Sequence, residues 1–291
     1  MNDYVLRAIS SNGEVRAFVG VTTNMVEKAR SFHNTTKVAT AALGRTLTVA
    51  SIMGLMMKNK GDKLTVILKG GGPIGTILVT ANEKGTVKGY VTNPDVEVED
   101  YANGKLNVAG AVGNNGILTV IKDFGLLEPY NGSYPIKSGE IAEDFTNYFA
   151  MSEQTPSAVA LGVLTTSTKV ECAGGFVVQL MPEATEETIS QLEKNISNIK
   201  SITQMLQENY TAEDILNTVL EGLEPRILDK DEVVYECDCS RERMEEALIS
   251  LGKEQLSELL EEDKGAELGC HFCNKKHYFS EEELKKIIEN I

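Results

Sequence analysis

The chain has 291 residues, of which 42 % are apolar and 24 % charged, and it carries a formal net charge of −15 at pH 7. That is enough chain for one large core and a smaller module, with an ordinary balance for a globular protein. No apolar run approaches the roughly 18–20 residues of a membrane span. The start "MNDYVLRAISSNGEV" lacks the basic and apolar parts of a secretory signal, so the expectation is a cytoplasmic protein with no membrane partner.

The first elements alternate. "YVLRAIS" and "EVRAFVG" flank Ser11–Gly13 and predict a hairpin. "NMVEKARSFH" and "TTKVATAALGRTLTVASIMGLMM" have helical spacing, the second with a small-residue face at Ala39, Ala42 and Gly44 suited to close packing on a sheet. "LTVILKGGGPIGTILVTAN", "GTVKGYVTN" and "GILTVIKDFG" supply β-branched strands broken at glycines. "SGEIAEDFTNYFAMSEQ" predicts a helix with Ser138 at its start, and "SAVALGVLT" and "GGFVVQLMP" predict two more strands. Strands and helices mixed without strict alternation predict an α+β, or mixed α/β, N-terminal domain over residues 1–182.

Beyond Pro182 the character changes. Residues 1–182 hold 16 basic and 16 acidic side chains, residues 183–231 hold 4 against 11, and residues 232–291 hold 8 against 16. All the excess negative charge is therefore in the last two segments, and the break marks a domain boundary. In 183–231, apolar positions from Ile189 to Leu206 recur every three or four residues and predict one amphipathic helix. Thr211 and Asp214 form a capping-box pattern for a second helix ending near Gly222. With little aromatic content, these helices should lie on the first domain through aliphatic contacts of modest strength. The expected organisation is a core domain (1–182), a helical linker (183–231) and a small C-terminal domain (232–291).

The C-terminal segment holds four of the five cysteines: Cys237 and Cys239, then, after the 30-residue spacer Ser240–Gly269, Cys270 and Cys273. Ser240 and Ser280 are placed to cap helices, "KEQLSELLEED" predicts a further short helix, and "GCHFCNKKHYFS" a hairpin-like knuckle. In a reducing compartment, two close thiol pairs predict a tetrahedral zinc site with Cys237, Cys239, Cys270 and Cys273 as ligands. The alternative is that these are small buried residues or structural disulfides. His271 and His277 lie beside the second pair and are expected at the surface, because four sulfurs complete the shell. His33 has no partner in view.

A tetrathiolate site in a segment already rich in acid argues against nucleic acid as partner, and so against a zinc-ribbon regulator of transcription. A module of about 60 residues buries too little apolar area to be secure alone. Structural zinc contributes on the order of 10–16 kcal/mol of apparent binding free energy, which becomes folding free energy. Oxidising the thiolates removes it, so the module should unfold when oxidised. Other motifs are weaker. "KGGGPIG" lacks the Gly-Lys-Ser/Thr ending of a phosphate loop and predicts a turn, and three histidines leave little room for a serine triad, so no catalytic residues are assigned.

In these residues and over its length, the chain resembles the redox-regulated heat-shock protein 33 family, the 33 kDa chaperonins. The resemblance covers nearly the whole length: "KGGGPIG" (69–75), "LTVIKDFGLLEPYNG" (118–132), "SGEIAEDFTNYFAMSEQTPSAV" (138–159), "AGGFVVQLMP" (173–182), "YECDCSRERMEEALISLG" (235–252) and "CHFCNKKHYF" (270–279). It implies an ATP-independent holdase rather than an enzyme: reduced, with one zinc per chain, it is largely inactive. Oxidants form Cys237–Cys239 and Cys270–Cys273 disulfides, zinc leaves, and the redox domain and linker lose structure. Unfolding client proteins then bind, and the active form is a homodimer. Cys172 is outside the family's cysteine pattern and is expected to be a small core residue. The reading from a different class is a thiol–disulfide oxidoreductase, which needs one thiol of lowered pKa. Lys275 and Lys276 make the second pair the better candidate, while Glu236, Asp238 and Glu242 should raise the first.

Overall fold

The computed structural model describes residues 2–291. The described chain forms two compact units, one reaching to Glu236 and the other Cys237–Ile291.

In the first unit the elements run β1 (Tyr4–Ile9), β2 (Val15–Val21), α1 (Thr23–His33), α2 (Lys37–Leu55), β3 (Lys63–Lys69), β4 (Thr76–Asn82), β5 (Val87–Val91), α3 (Val108–Val112), β6 (Ile117–Asp123), β7 (Tyr130–Pro135), α4 (Ala142–Met151), β8 (Ser157–Thr165), β9 (Val170–Leu180), α5 (Glu186–Asn198), α6 (Ile202–Gln207), α7 (Ala212–Val219) and β10 (Arg226–Glu232). They build two antiparallel five-stranded sheets, ordered β10-β1-β2-β9-β8 and β5-β4-β3-β6-β7. This is the mixed α/β architecture expected.

Helix α2 explains why two sheets make one core. It packs against β8 and β9 of the first sheet and β3, β4 and β5 of the second. Its small residues Ala39, Ala42, Gly44 and Ala50 are wholly or almost wholly buried, and they allow close approach on several sides. Contrary to the expectation that no apolar run approaches a membrane span, α2 is long and apolar enough for one by length and composition, although Arg45 and several threonines interrupt it. Nearly every residue of it is buried inside the protein, so it is the core helix of the unit. The glycines of "KGGGPIG" mark the meeting of two backbones rather than a ligand cradle: a Cβ on Gly70 would lie 2.3 Å from the Val112 carbonyl oxygen.

The outer face of the first sheet carries α5, α6 and α7, whose Leu192, Ile202, Met205, Ile215, Leu216 and Val219 bury against Leu6, Val15, Val19 and Phe176. The single helix expected from Ile189 to Leu206 is two helices. It breaks at Ile199, whose backbone is extended, and restarts with Ser201 accepting from the Gln204 N–H. Gly162 on β8 allows α6 to sit down: a Cβ there would lie 2.8 Å from the Ile202 Cβ. Asn195 of α5 donates to the Val219 and Glu221 carbonyls at 3.0 and 2.8 Å, tying α5 to the end of α7. The expected capping box of α7 is present, with Thr211 and Asp214 bonded reciprocally.

Two local expectations change. Ser138 is not the cap of α4. Instead the buried Asp144 carboxylate accepts from the backbone N–H groups of Lys137, Ser138, Gly139 and Ile141 at 2.8–3.2 Å, folding the preceding loop over the helix start. Strand β10, "RILDKDE", has no apolar alternation because it is an exposed edge strand paired to β1. The residues after it are anchored in the same unit. Tyr235 is 1 % exposed, and its hydroxyl donates to the Gly89 carbonyl at 2.8 Å. His33, left without a partner by the sequence, has Nε2 3.3 Å from that hydroxyl.

The second unit contains α8 (Arg241–Ile249), α9 (Lys253–Asp263), the hairpin β11 (Gly265–Gly269) and β12 (Lys276–Ser280), and α10 (Glu281–Glu289). Ser240 and Ser280 cap α8 and α10 as the sequence predicts. Its core is small: Leu248, Leu256, Ala266, Phe279, Leu284 and Ile287.

Candidate metal centre

The site is built from two pieces of the second unit. Cys237 and Cys239 lie in the irregular segment leading to α8, with one residue between them and Ser240 ending the segment as the helix cap. Cys270 and Cys273 lie in the turn joining β11 to β12. There the Cys270 carbonyl accepts from the N–H groups of Cys273 (3.3 Å) and Asn274 (2.8 Å), and the Cys270 N–H donates to the Lys275 carbonyl at 2.9 Å. Asn274 takes the left-handed conformation, φ 56°, that closes this knuckle.

The four sulfurs lie within 4.8 Å of one another. Cys237 Sγ is 3.6 Å from Cys270 Sγ, and Cys239 Sγ is 3.4 Å from Cys273 Sγ. Four thiolates around a tetrahedral zinc at about 2.3 Å would sit about 3.8 Å apart. The donor set and its spacing therefore fit a metal, with all four thiols free of disulfides.

The acidity of the thiols reflects burial first and their mutual crowding second. Burial pushes Cys237 up strongly, and the neighbouring thiols add to the shift despite a bond from the Cys239 N–H. Burial also pushes Cys239 up to about 11, with Cys273 next. Burial would raise Cys270 too, but the N–H of Phe272, the Cys237 thiol and the N–H of Cys273 outweigh it, and the net direction is down. Thiols packed this closely cannot all ionise without a cation, so a metal would replace their protons.

The expected sources of these shifts differ from those found. The acidic neighbours of the first pair are not its leading cause, and Asp238 is engaged by Arg243. Lys276, expected to activate the second pair, instead pairs with Glu267 at 2.7 Å. Cys270 is lowered but only 6 % exposed, a poor position for a turnover nucleophile. The histidines divide. His271 is exposed, whereas His277, expected at the surface, is 7 % exposed on β12 and its Nε2 has no hydrogen-bond partner among the described residues. The alternation of β12, with His277 and Phe279 facing inward, was the available signal. Cys172 is buried on β9, where its thiol contacts the Thr203 carbonyl of α6 at 3.7 Å.

A family model described as Hsp33 protein matches residues 3–280. The chain belongs to the Hsp33 family. Among Hsp33 relatives, the 33 kDa chaperonin of Clostridioides difficile (strain 630) is 67 % identical over 291 residues, covering 100 % of both chains. That of Alkaliphilus metalliredigens (strain QYMF) is 49 % identical, again over 100 % of both. Among solved structures, the crystal structure of the 33 kDa chaperonin (heat shock protein 33 homolog) from Thermotoga maritima matches with a TM-score of 0.93 at 36 % identity, covering 100 % of this chain and 99 % of that one. For an Hsp33 chain, four clustered cysteines near the C-terminus fit a metal site and a redox switch.

Proposed function

We propose that the chain is a redox-regulated, ATP-independent holdase chaperone of the cytoplasm, and that Cys237, Cys239, Cys270 and Cys273 bind one zinc ion per chain in the reduced, resting state. The observation that carries this is the convergence of four sulfurs within 4.8 Å in a unit with a very small apolar core. Zinc supplies cross-linking energy to a fold that lacks it.

Activation is an oxidation of the chain's own sulfurs. Two thiolates give up two electrons to one peroxide, whose O–O bond breaks; two protons from solvent complete two waters as the S–S bond forms. The pairs implied by the resemblance, Cys237 with Cys239 and Cys270 with Cys273, are near neighbours in sequence. They can close without the tertiary fold and, once closed, offer no thiolates to the metal. The second unit then loses its cross-link.

The linker, residues 183–231 between a core of 1–182 and a redox domain of 232–291, is the gate in this reading. Helices α5 to α7 are held by aliphatic contacts on the outer face of the first sheet. Their release would bare Leu6, Val15, Val19 and Phe176 for unfolded client proteins, and the same faces would support a homodimer of the active form. Binding unfolded chains this way needs no catalytic residue, so the protein acts as a binding protein rather than an enzyme.

The test is aggregation of a thermally unfolding client followed by light scattering. Reduced, zinc-loaded protein should leave aggregation unchanged; protein treated with peroxide under mildly unfolding conditions should suppress it near one-to-one stoichiometry. Equal behaviour of both forms would refute the switch. Measurable insulin reduction at catalytic amounts would instead favour an oxidoreductase. A chain ending at Glu236, which keeps β10 and Tyr235 in place, should suppress aggregation without oxidant.

A further inference from the structure

The two halves of the metal centre are separated by the spacer from Ser240 to Gly269, and the side chains that bring them together are concentrated at the start of α8. Arg241, two residues after Cys239, makes three contacts, all to the half that carries Cys270 and Cys273. Its Nη1 donates to the Tyr278 carbonyl at 2.9 Å, its Nη2 donates to Glu283 Oε1 at 2.6 Å, and its guanidinium lies 4.3 Å from the centre of the Phe279 ring. Glu283 is itself fixed, because its other oxygen accepts from the backbone N–H and the hydroxyl of Ser280 at 2.9 and 3.0 Å. Arg243 works in the opposite direction. Its Nη1 binds both the carbonyl (3.2 Å) and the carboxylate of Asp238, the residue between the first two cysteines. These are the only arginines in Cys237–Ile291, against six lysines. Arginine is what the geometry requires: a planar fork serves a carbonyl and a carboxylate while its face covers a ring, which an ammonium cannot do.

We propose that Arg241, backed by Arg243, is a positioning brace that holds the Cys237–Cys239 segment against the Cys270–Cys273 knuckle, and thereby sets how fast the site releases and reloads its metal. The proposal rests on the zinc reading above. A brace between the halves reduces the loop-closure entropy that metal binding must otherwise overcome. Arg241 and Glu283 are about two-fifths exposed, which limits the effect to the lower part of the range seen for residues that support metal ligands.

The experiment uses the full reduced chain loaded with zinc, with transfer of the metal to a chromogenic chelator timed for wild type and variants, and reloading of the stripped protein timed in parallel. Cobalt-loaded protein reports ligand identity through its thiolate charge-transfer bands. Arg241→Ala should release metal about tenfold faster and reload more slowly, with the cobalt bands at wild-type positions at saturation. Arg241→Lys should stay fast, since charge without the fork does not restore the brace. Glu283→Gln keeps the capping of α10 and should give a few-fold acceleration. Lys285→Ala, which breaks an exposed pair with Glu281 on the same helix, should leave release unchanged. Release from Arg241→Ala at the wild-type rate, full restoration by lysine, or equal acceleration by Lys285→Ala would each overturn the brace. Should Arg241→Ala take up no metal, Glu283→Gln decides: faster release upholds the brace and wild-type release overturns it. A wild-type chain that holds no zinc would overturn the metal reading and the brace together, a result distinct from all the others.

Discussion

The two units differ in what makes them hold. In the first, α2 is buried between two five-stranded sheets, and Phe145, Tyr148 and Phe149 are buried completely in the same core. In the second, three short helices and a hairpin share a core of Leu248, Leu256, Ala266, Phe279, Leu284 and Ile287, in which Phe279 is the sole aromatic ring. The first has apolar area enough to fold on hydrophobic burial, whereas the second is of a size at which burial alone leaves only a marginal fold. It instead brings four thiols together where an ion can substitute for a core. A switch built this way can melt one unit by a change in four atoms while leaving the two-sheet core of the other intact.

The largest expected effect is on the metal itself. Cys270→Ser should reduce the zinc content of the reduced protein from about one per chain to near none, read by metal analysis; zinc bound as tightly as in wild type would break the assignment. Next come matched core truncations. Phe145→Ala and Phe279→Ala each remove a fully buried ring, at a cost of about 3–5 kcal/mol. The first should lower the melting temperature of a unit that still unfolds cooperatively. The second should unfold residues 237–291 at ordinary zinc concentrations, recoverable by excess zinc. If both units tolerate the loss equally, the contrast between them is wrong.

A smaller effect concerns the helices on the first sheet. The Tyr4 hydroxyl donates to Glu213 of α7 at 2.6 Å, and Lys230 joins the same carboxylate at 3.0 Å. Burial, followed by the bond to Glu213, pushes Tyr4 from 10.0 up to about 12. A folded-state value above the unfolded one means that the contribution is complete below pH 10 and is lost as pH rises through about 12. Tyr4→Phe should cost about 1 kcal/mol at neutral pH and remove that part of the alkaline destabilisation, seen by comparing denaturant midpoints across the range. The smallest effect is that of Cys172→Ala. Its thiol makes only a weak contact to α6, so peroxide activation should be as in wild type; failure to activate with zinc bound would add a fifth redox-active sulfur.

The sequence shows most where the physics is local. Strands around glycine turns, the caps at Thr211, Ser240 and Ser280, and the tight spacing within each cysteine pair depend on residues a few positions apart. Features that depend on distant partners were not legible. β10 is a charged edge strand that β1 selects by pairing, and the break before α6 lets Ile202 sit over Gly162. The capping carboxylate of α4 comes from within the helix, and Tyr235 is buried because β5 and α1 receive it. At the candidate metal centre the clustering of the four cysteines could be read from spacing, but Arg241 could not, since nothing in its neighbours signals Tyr278 or Glu283.

The most direct test of the central claim is hydrogen exchange on the full-length protein, reduced and zinc-loaded against the same protein stripped by a chelator under reducing conditions. Amides of α8 to α10 and of the β11–β12 hairpin should lose protection when the metal is removed, while α2 and the central strands β2, β3 and β9 keep theirs. Protection of residues 237–291 that survives metal removal, or is lost together with that of α2, would contradict it.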